Sequence, residues 1–148
     1  MRLVVAAAFV AIACSTAVPA AARDTHHMFP VQPALSTPAA LEKLDKGVKL
    51  FFGNQKHPKA ATDFGEWATN KKTNAFNKSD REACEWVFLS AVLELQERAR
   101  KQGGNAVINI KSNYKNIETV SDTEYMCGAG ALMAGVALKG TVVKLPGK

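Results

Sequence analysis

The run SDREACEWVFLSAVLELQERARKQGGNAVINI, residues 79–110, carries a helix with both of its ends marked and a strand that follows at once. Ser79-Asp80-Arg81-Glu82 has the form of a capping box, in which a serine oxygen and a glutamate three residues on satisfy amides that the first turn leaves unpaired. Cys84, Val87, Phe88, Ala91, Leu95 and Ala99 recur at steps of three and four, which puts them on one buried stripe. Glu94 with Arg98 and Glu97 with Lys101 are four apart on the outside. Gly103-Gly104 supplies the left-handed end that residues with a Cβ resist. Ala106, Ile108 and Ile110 then alternate with Val107 and Asn109, so the helix runs directly into a strand.

Working outward, Asn113 to Ser121 is polar and turn-like, and Thr123–Cys127 and Leu132–Val143 read as two more strands. Gly135 and Gly140 mark bulges or close approaches in the last of these. On the other side, Val48, Leu50 and Phe52 alternate within Lys46–Gly53, the period of a half-buried strand. Phe64–Thr69 and Thr73–Phe76 read as two short strands around a turn at Asn70-Lys71-Lys72. Residues 45–145 are thus expected to form a single α+β domain, with one long helix laid across a mostly antiparallel sheet. Residues 23–44, rich in Pro, Thr and Ser at their start and without apolar period, read as a flexible N-terminal arm.

The first 22 residues have the three parts of a secretory signal: Arg2 as the positive start, Leu3 to Ala13 as an apolar run, and Ala20-Ala21-Ala22 as a cleavage site. Cleavage is expected after Ala22. Cys14 raises the alternative of an acylated lipoprotein, but Ala11, Ile12 and Ala13 are poor flanks for it. The apolar run falls short of the ~20 residues that cross a bilayer, so no membrane span is expected. Removing 22 residues from the 148 leaves 126, a length that buries a modest core, and the formal charge falls from +6 to +5 as Arg2 leaves. So basic a chain suits anionic surfaces, yet its bases are scattered, and an exported address excludes nucleic acid as the expected partner. The expected compartment is the periplasm. Cys84 and Cys127 remain, and an even number in an oxidising compartment favours a disulfide over two separate thiols.

Several patterns carry chemistry on paper. Gly135-Val-Ala-Leu-Lys-Gly140-Thr141 resembles half of a P-loop but lacks the lysine that reaches the phosphates, and it lies inside a strand pattern, so no ATPase motif is present. Cys84 near a helix N-terminus suits an acidic thiol, although no Cys-x-x-Cys spacing accompanies it. His26 and His27, with Met28 beside them, are weak candidates for copper or zinc in a segment too loose for a closed site. His57, before Pro58, reads as an exposed loop residue. Asp63, Glu66, Asp80, Glu82 and Glu85 have no spacing that demands convergence, so solvation is their expected role. Phe64, Trp67, Phe76 and Trp86 are assigned to the core, with a partner-binding patch as the alternative. No cofactor and no catalytic residue is expected.

The run Leu93-x-Leu95-x3-Ala99-x3-Gly103-Gly104-Asn105-Ala106-Val107, the strand Tyr125-Met126-Cys127 and Gly135-Val136-Ala137-Leu138 together resemble the small α/β domain shared by the RcsF envelope-stress lipoprotein and the YbjQ-like proteins. They are also similar to small secreted proteobacterial chains that often carry an "excinuclease ATPase subunit" label, which the missing P-loop lysine does not support. The resemblance covers roughly residues 79–145. It implies a disulfide from the helix start to the strand before the last glycine segment, at Cys84 and Cys127, while the strand position of a second RcsF bridge is Met133 here. It further implies a non-catalytic sensor that contacts envelope proteins, although the lipid anchor that role uses is not expected here, and the ring-forming YbjQ-like proteins leave a homo-oligomer open. The expected function is therefore a periplasmic, non-enzymatic interaction or envelope-stress sensor domain; the alternative is an envelope metal-binding or thiol-redox protein.

Overall fold

The computed structural model describes residues 22–147. The signal-like features at Arg2, Leu3 to Ala13, Cys14 and residues 20–21 lie outside them. The chain runs β1 (Thr25–Pro30), α1 (Val31–Leu35), α2 (Pro38–Lys43), β2 (Lys49–Phe52), β3 (Thr62–Asn74), α3 (Asp80–Gln102), β4 (Ala106–Ser112), a single 3-10 turn (Tyr114–Asn116), β5 (Glu124–Ala129) and β6 (Met133–Lys144). This is an α+β fold in which α3 lies across one face of a six-stranded sheet.

The sheet is organised around β6. β3 runs antiparallel along one of its edges, from Thr62 opposite Lys144 to Asn74 opposite Met133. The other edge is shared, because a strand has only two: β5 pairs at Gly135 and Ala134, and β4 pairs from Leu138 to Val143. β1 extends the β5 branch and β2 the β4 branch, the latter as the one parallel pairing.

α3 starts where its cap predicts. The Ser79 hydroxyl accepts the Glu82 amide at 3.1 Å, and Gly103 at φ +82° closes the other end by donating to Arg100, while Gly104 donates to Ala99. Val87, Phe88, Val92, Leu95 and Ala99 are fully buried against Val107, Ile110, Leu138 and Val142. Each large side chain so buried contributes roughly 1.5–3 kcal/mol. Phe88 stacks on Tyr125 with centroids 3.9 Å apart. Beside that stack Cys84 and Cys127 form a disulfide, with their Cα atoms 5.9 Å apart, which joins the second turn of α3 to the middle of β5.

Two expectations need correction. Residues 25–30 are not an arm but an antiparallel edge strand, paired with β5 from Thr25 opposite Ala129 to Pro30 opposite Glu124. Val31 and Ala34, just beyond it, are buried in the core. The two short strands read around Asn70-Lys71-Lys72 are instead one 13-residue strand, since pairing with β6 continues through all three residues. Lys71 tolerates that place because Glu94 of α3 meets its ammonium at 2.7 Å.

Candidate functional site

The polar chemistry of the described residues gathers where β1 passes the start of α3. Successive strand residues face opposite ways, so β1 presents His27 to the helix side and His26 to the outer side. Each histidine meets its own aspartate.

On the helix side the acceptor is Asp80, the first residue of α3, where the helix dipole also favours negative charge. Arg23 reaches it with two nitrogens, Nη1 at 2.8 Å and Nη2 at 2.9 Å, and His27 Nε2 lies 2.8 Å from the same carboxylate. The Arg23 guanidinium, and His27 after it, hold the Asp80 carboxyl well below the usual carboxylate range. Arg23 Nη2 also donates to the Gly130 carbonyl at 2.8 Å, which ties the β5–β6 turn into the same cluster. His27 is the register partner of Cys127, and Cys84 follows Asp80 by one helical turn, so this cluster lies next to the disulfide along both elements. Both sulfur residues are fully buried.

On the outer side the acceptor is Asp24. It is contacted by the Lys115 ammonium, by His26 Nε2 at 3.1 Å and by the Tyr114 hydroxyl at 3.0 Å. Lys115 is the first cause that draws the Asp24 carboxyl down to about 2, with His26 next. The Tyr114 phenol is raised, first by burial and then by donating to Asp24. Its ring lies on bare backbone: a Cβ on Gly128 would sit 2.0 Å from the Tyr114 hydroxyl oxygen, so only glycine fits there. Lys115 and Asn116 hold this turn with φ of +52° and +62°, a conformation that costs residues with a Cβ energy and is paid back by these contacts.

His26 and His27 therefore do not make one ligand set; they are split between two faces and two carboxylates. Among the described residues no group of three or more His, Cys, Asp or Glu side chains is placed to hold a metal ion. His57 is half-buried, its ring 5.4 Å from that of Phe51, and not fully exposed. The carboxylates disperse. Asp63 accepts the Gly65 amide at the β3 bulge, Glu85 pairs with Arg81 at 2.9 Å, and Glu66 joins Glu118, Lys111 and Lys139 in a ring of ion pairs on the outer face.

The aromatic residues divide. Phe64 and Trp67 pack against the core, with the Arg98 guanidinium 4.1 Å from the Trp67 ring centre. Phe76 and Trp86 do not, being 59% and 51% exposed. Trp86 forms one wall of a largely apolar groove of about 510 Å³ between the start of α2 and α3, closed by Pro38, Ala39 and Leu89 and rimmed by Lys78, Glu82 and Glu85. Sequence reading missed Asp24, Tyr114 and Lys115. Their partnership spans about 90 positions, and the only local sign of it is a polar loop that holds one tyrosine.

Comparison of the chain with protein-family models, with curated proteins and with solved structures finds no match.

Proposed function

We propose that this chain is a non-enzymatic interaction domain of the periplasm, exported by residues 1–22 and cleaved after Ala22, which acts as a sensor by contacting an envelope protein. The observation that carries this reading is the Trp86 groove. A half-exposed tryptophan over apolar walls with a charged rim is the composition of a protein-contact hot spot, where aromatic anchors supply most of the binding energy. The Cys84–Cys127 disulfide supports the oxidising compartment. The resemblance to RcsF points the same way.

The alternative, an envelope metal-binding or thiol-redox protein, draws on His27 lying opposite Cys127. Full burial of both sulfurs weighs against exchange, which requires an attacking thiolate to reach one of them.

The test places a photo-crosslinking residue at Glu82, on the rim of the groove, in cells that export the protein. One defined envelope protein is expected to be captured, and capture is expected to fall at least tenfold, or about 1.4 kcal/mol, when the exposed anchor is removed by Trp86→Ala. If no adduct forms while the purified protein turns over a small molecule or exchanges its disulfide with glutathione, the reading is lost. Mass spectrometry of the same sample fixes the processed N-terminus.

A further inference from the structure

We infer that the end of the sheet formed by the β3–α3 turn and the β5–β6 turn is a docking surface for an anionic phospholipid bilayer. Lys78 also stands on the rim of the Trp86 groove, but Phe76, Leu132 and Met133 do not line that groove, and the inference does not rest on it.

Three large apolar side chains emerge together there: Phe76, 59% exposed, Leu132, 62%, and Met133, 49%. Their closeness follows from the backbone. The Ala75 amide donates to the Leu132 carbonyl at 2.8 Å, and Asn74 is the register partner of Met133. Both turns are tightly built. Lys78 N–H donates to the Ala75 carbonyl, with Asn77 at φ +57° and the Phe76 amide held by Asn74 Oδ1 at 2.7 Å, so Phe76 rides the apex of a β-turn. Gly130 N–H donates to the Met133 carbonyl at 2.8 Å and closes the other. Single exposed apolar residues are ordinary, but three on adjoining turn tips, where Asn, Asp or Ser would fold as well, are not.

The charge around them identifies the occupant. Arg23 donates to the Gly130 carbonyl of one turn at 2.8 Å, and the Lys78 ammonium donates to the Asn74 carbonyl of the other at 3.0 Å. Lys72 lines the same cavity as Leu132 and Met133. Lys72 and Lys78 have no carboxylate partner among the described residues, whereas Lys71, next in sequence, is paired with Glu94. Arg23 is neutralised by Asp80 and Asp24 by Lys115, so the uncompensated charge beside the apolar tips is that of Lys72 and Lys78. Apolar tips flanked by two such lysines match the two layers of an anionic membrane, with headgroup phosphates around acyl chains. The +5 charge left after Arg2 is removed adds long-range attraction to the same target.

The processed chain, residues 23–148, and its variants are sedimented with vesicles of equimolar phosphatidylglycerol and phosphatidylcholine and with vesicles of phosphatidylcholine alone, so that the apolar run before residue 23 plays no part in binding. The protein is expected to bind the anionic vesicles. Phe76→Ser/Leu132→Ser/Met133→Ser should bind them at least about tenfold more weakly, and Lys72→Gln/Lys78→Gln on the order of tenfold more weakly. Should the triple variant fail to fold, Phe76→Trp replaces it, and its emission should shift to the blue with anionic vesicles beyond any shift of the parent chain. Equal binding by parent and variants, or no blue shift, overturns the inference. So does a dimer in light scattering that the apolar substitutions dissolve, because a second copy would then cover the patch.

Discussion

The first two turns of α3 are fastened by opposite kinds of bond. Cys84 is held covalently in a dry core beside Phe88 and Tyr125, whereas Asp80, one turn earlier, is held by Arg23 and His27 with a quarter of its side chain in water. A covalent bond between buried sulfurs ignores salt and acid, while ion pairs at a wet surface yield to both. The difference separates what keeps the sheet and helix together from what keeps β1 and the Tyr114 turn seated on them. It also predicts that the two can be undone separately.

The largest effect should come from the sulfurs. Closing the loop between positions 84 and 127 is worth on the order of 4 kcal/mol through the lost entropy of the unfolded chain. Cys84→Ser/Cys127→Ser should therefore lower the free energy of unfolding by about that much, a large share of the total for one small domain. Guanidinium melts of the variant, and of the parent with and without reductant, measure it. Coincident midpoints would mean that helix packing alone carries the unit and that the contrast with Asp80 has no energetic content.

A smaller effect tests the outer fastening. Gly128→Ala places a methyl 2.0 Å from the Tyr114 hydroxyl oxygen and 2.1 Å from Cζ, so the ring must leave. Overpacking of this kind costs about 1–3 kcal/mol. Because Tyr114 and Lys115 both hold Asp24, amide exchange should accelerate from 113 to 118 and at the start of β1, but not in α3. Gly135→Ala is the control: its methyl would lie 3.5 Å from the same ring, an ordinary contact, and should leave the exchange unchanged.

The asymmetry between the two fastenings also explains what could be read from the chain. α3 was legible because all its determinants are local: Ser79 caps it, the apolar stripe repeats along it, and Gly103 ends it within one residue of the expected stop. The α+β class followed from that helix and the alternation after it. β1 was not legible, since Thr25-His-His-Met-Phe-Pro30 has no apolar period; as an edge strand it takes its place from pairing with β5 and from Asp80, 53 positions away. β3 misled for a related reason. Asn70-Lys71-Lys72 has turn composition, and only β6 and Glu94, both distant in sequence, hold it extended. Of the candidate site, the cysteines were readable by count, whereas the roles of Asp24, Asp80 and Tyr114 exist only once β1 is in position.

The smallest effect concerns acid. Asp24, ordinarily near 3.8, is held at about 2, and Asp80 is lowered further, because each carboxylate accepts hydrogen bonds from cations in the folded chain. A carboxyl whose folded pKa is depressed contributes stability that is fully present above its unfolded value and is lost as pH falls through the folded one. The contribution should accordingly hold down to about pH 5, decline as pH falls through the unfolded value toward pH 2 where Asp24 titrates, and go on declining below that for Asp80. Exchange at the β1 amides should rise across that window while α3, pinned by Cys84, stays protected. Asp80→Asn removes the larger part of the effect, since the neutral amide keeps the shape but not the attraction for Arg23, and it should flatten the salt dependence of β1 exchange at neutral pH. If β1 and α3 instead opened together at one pH, the ion pairs and the disulfide would belong to a single cooperative unit, and the division between a wet and a dry fastening would fail.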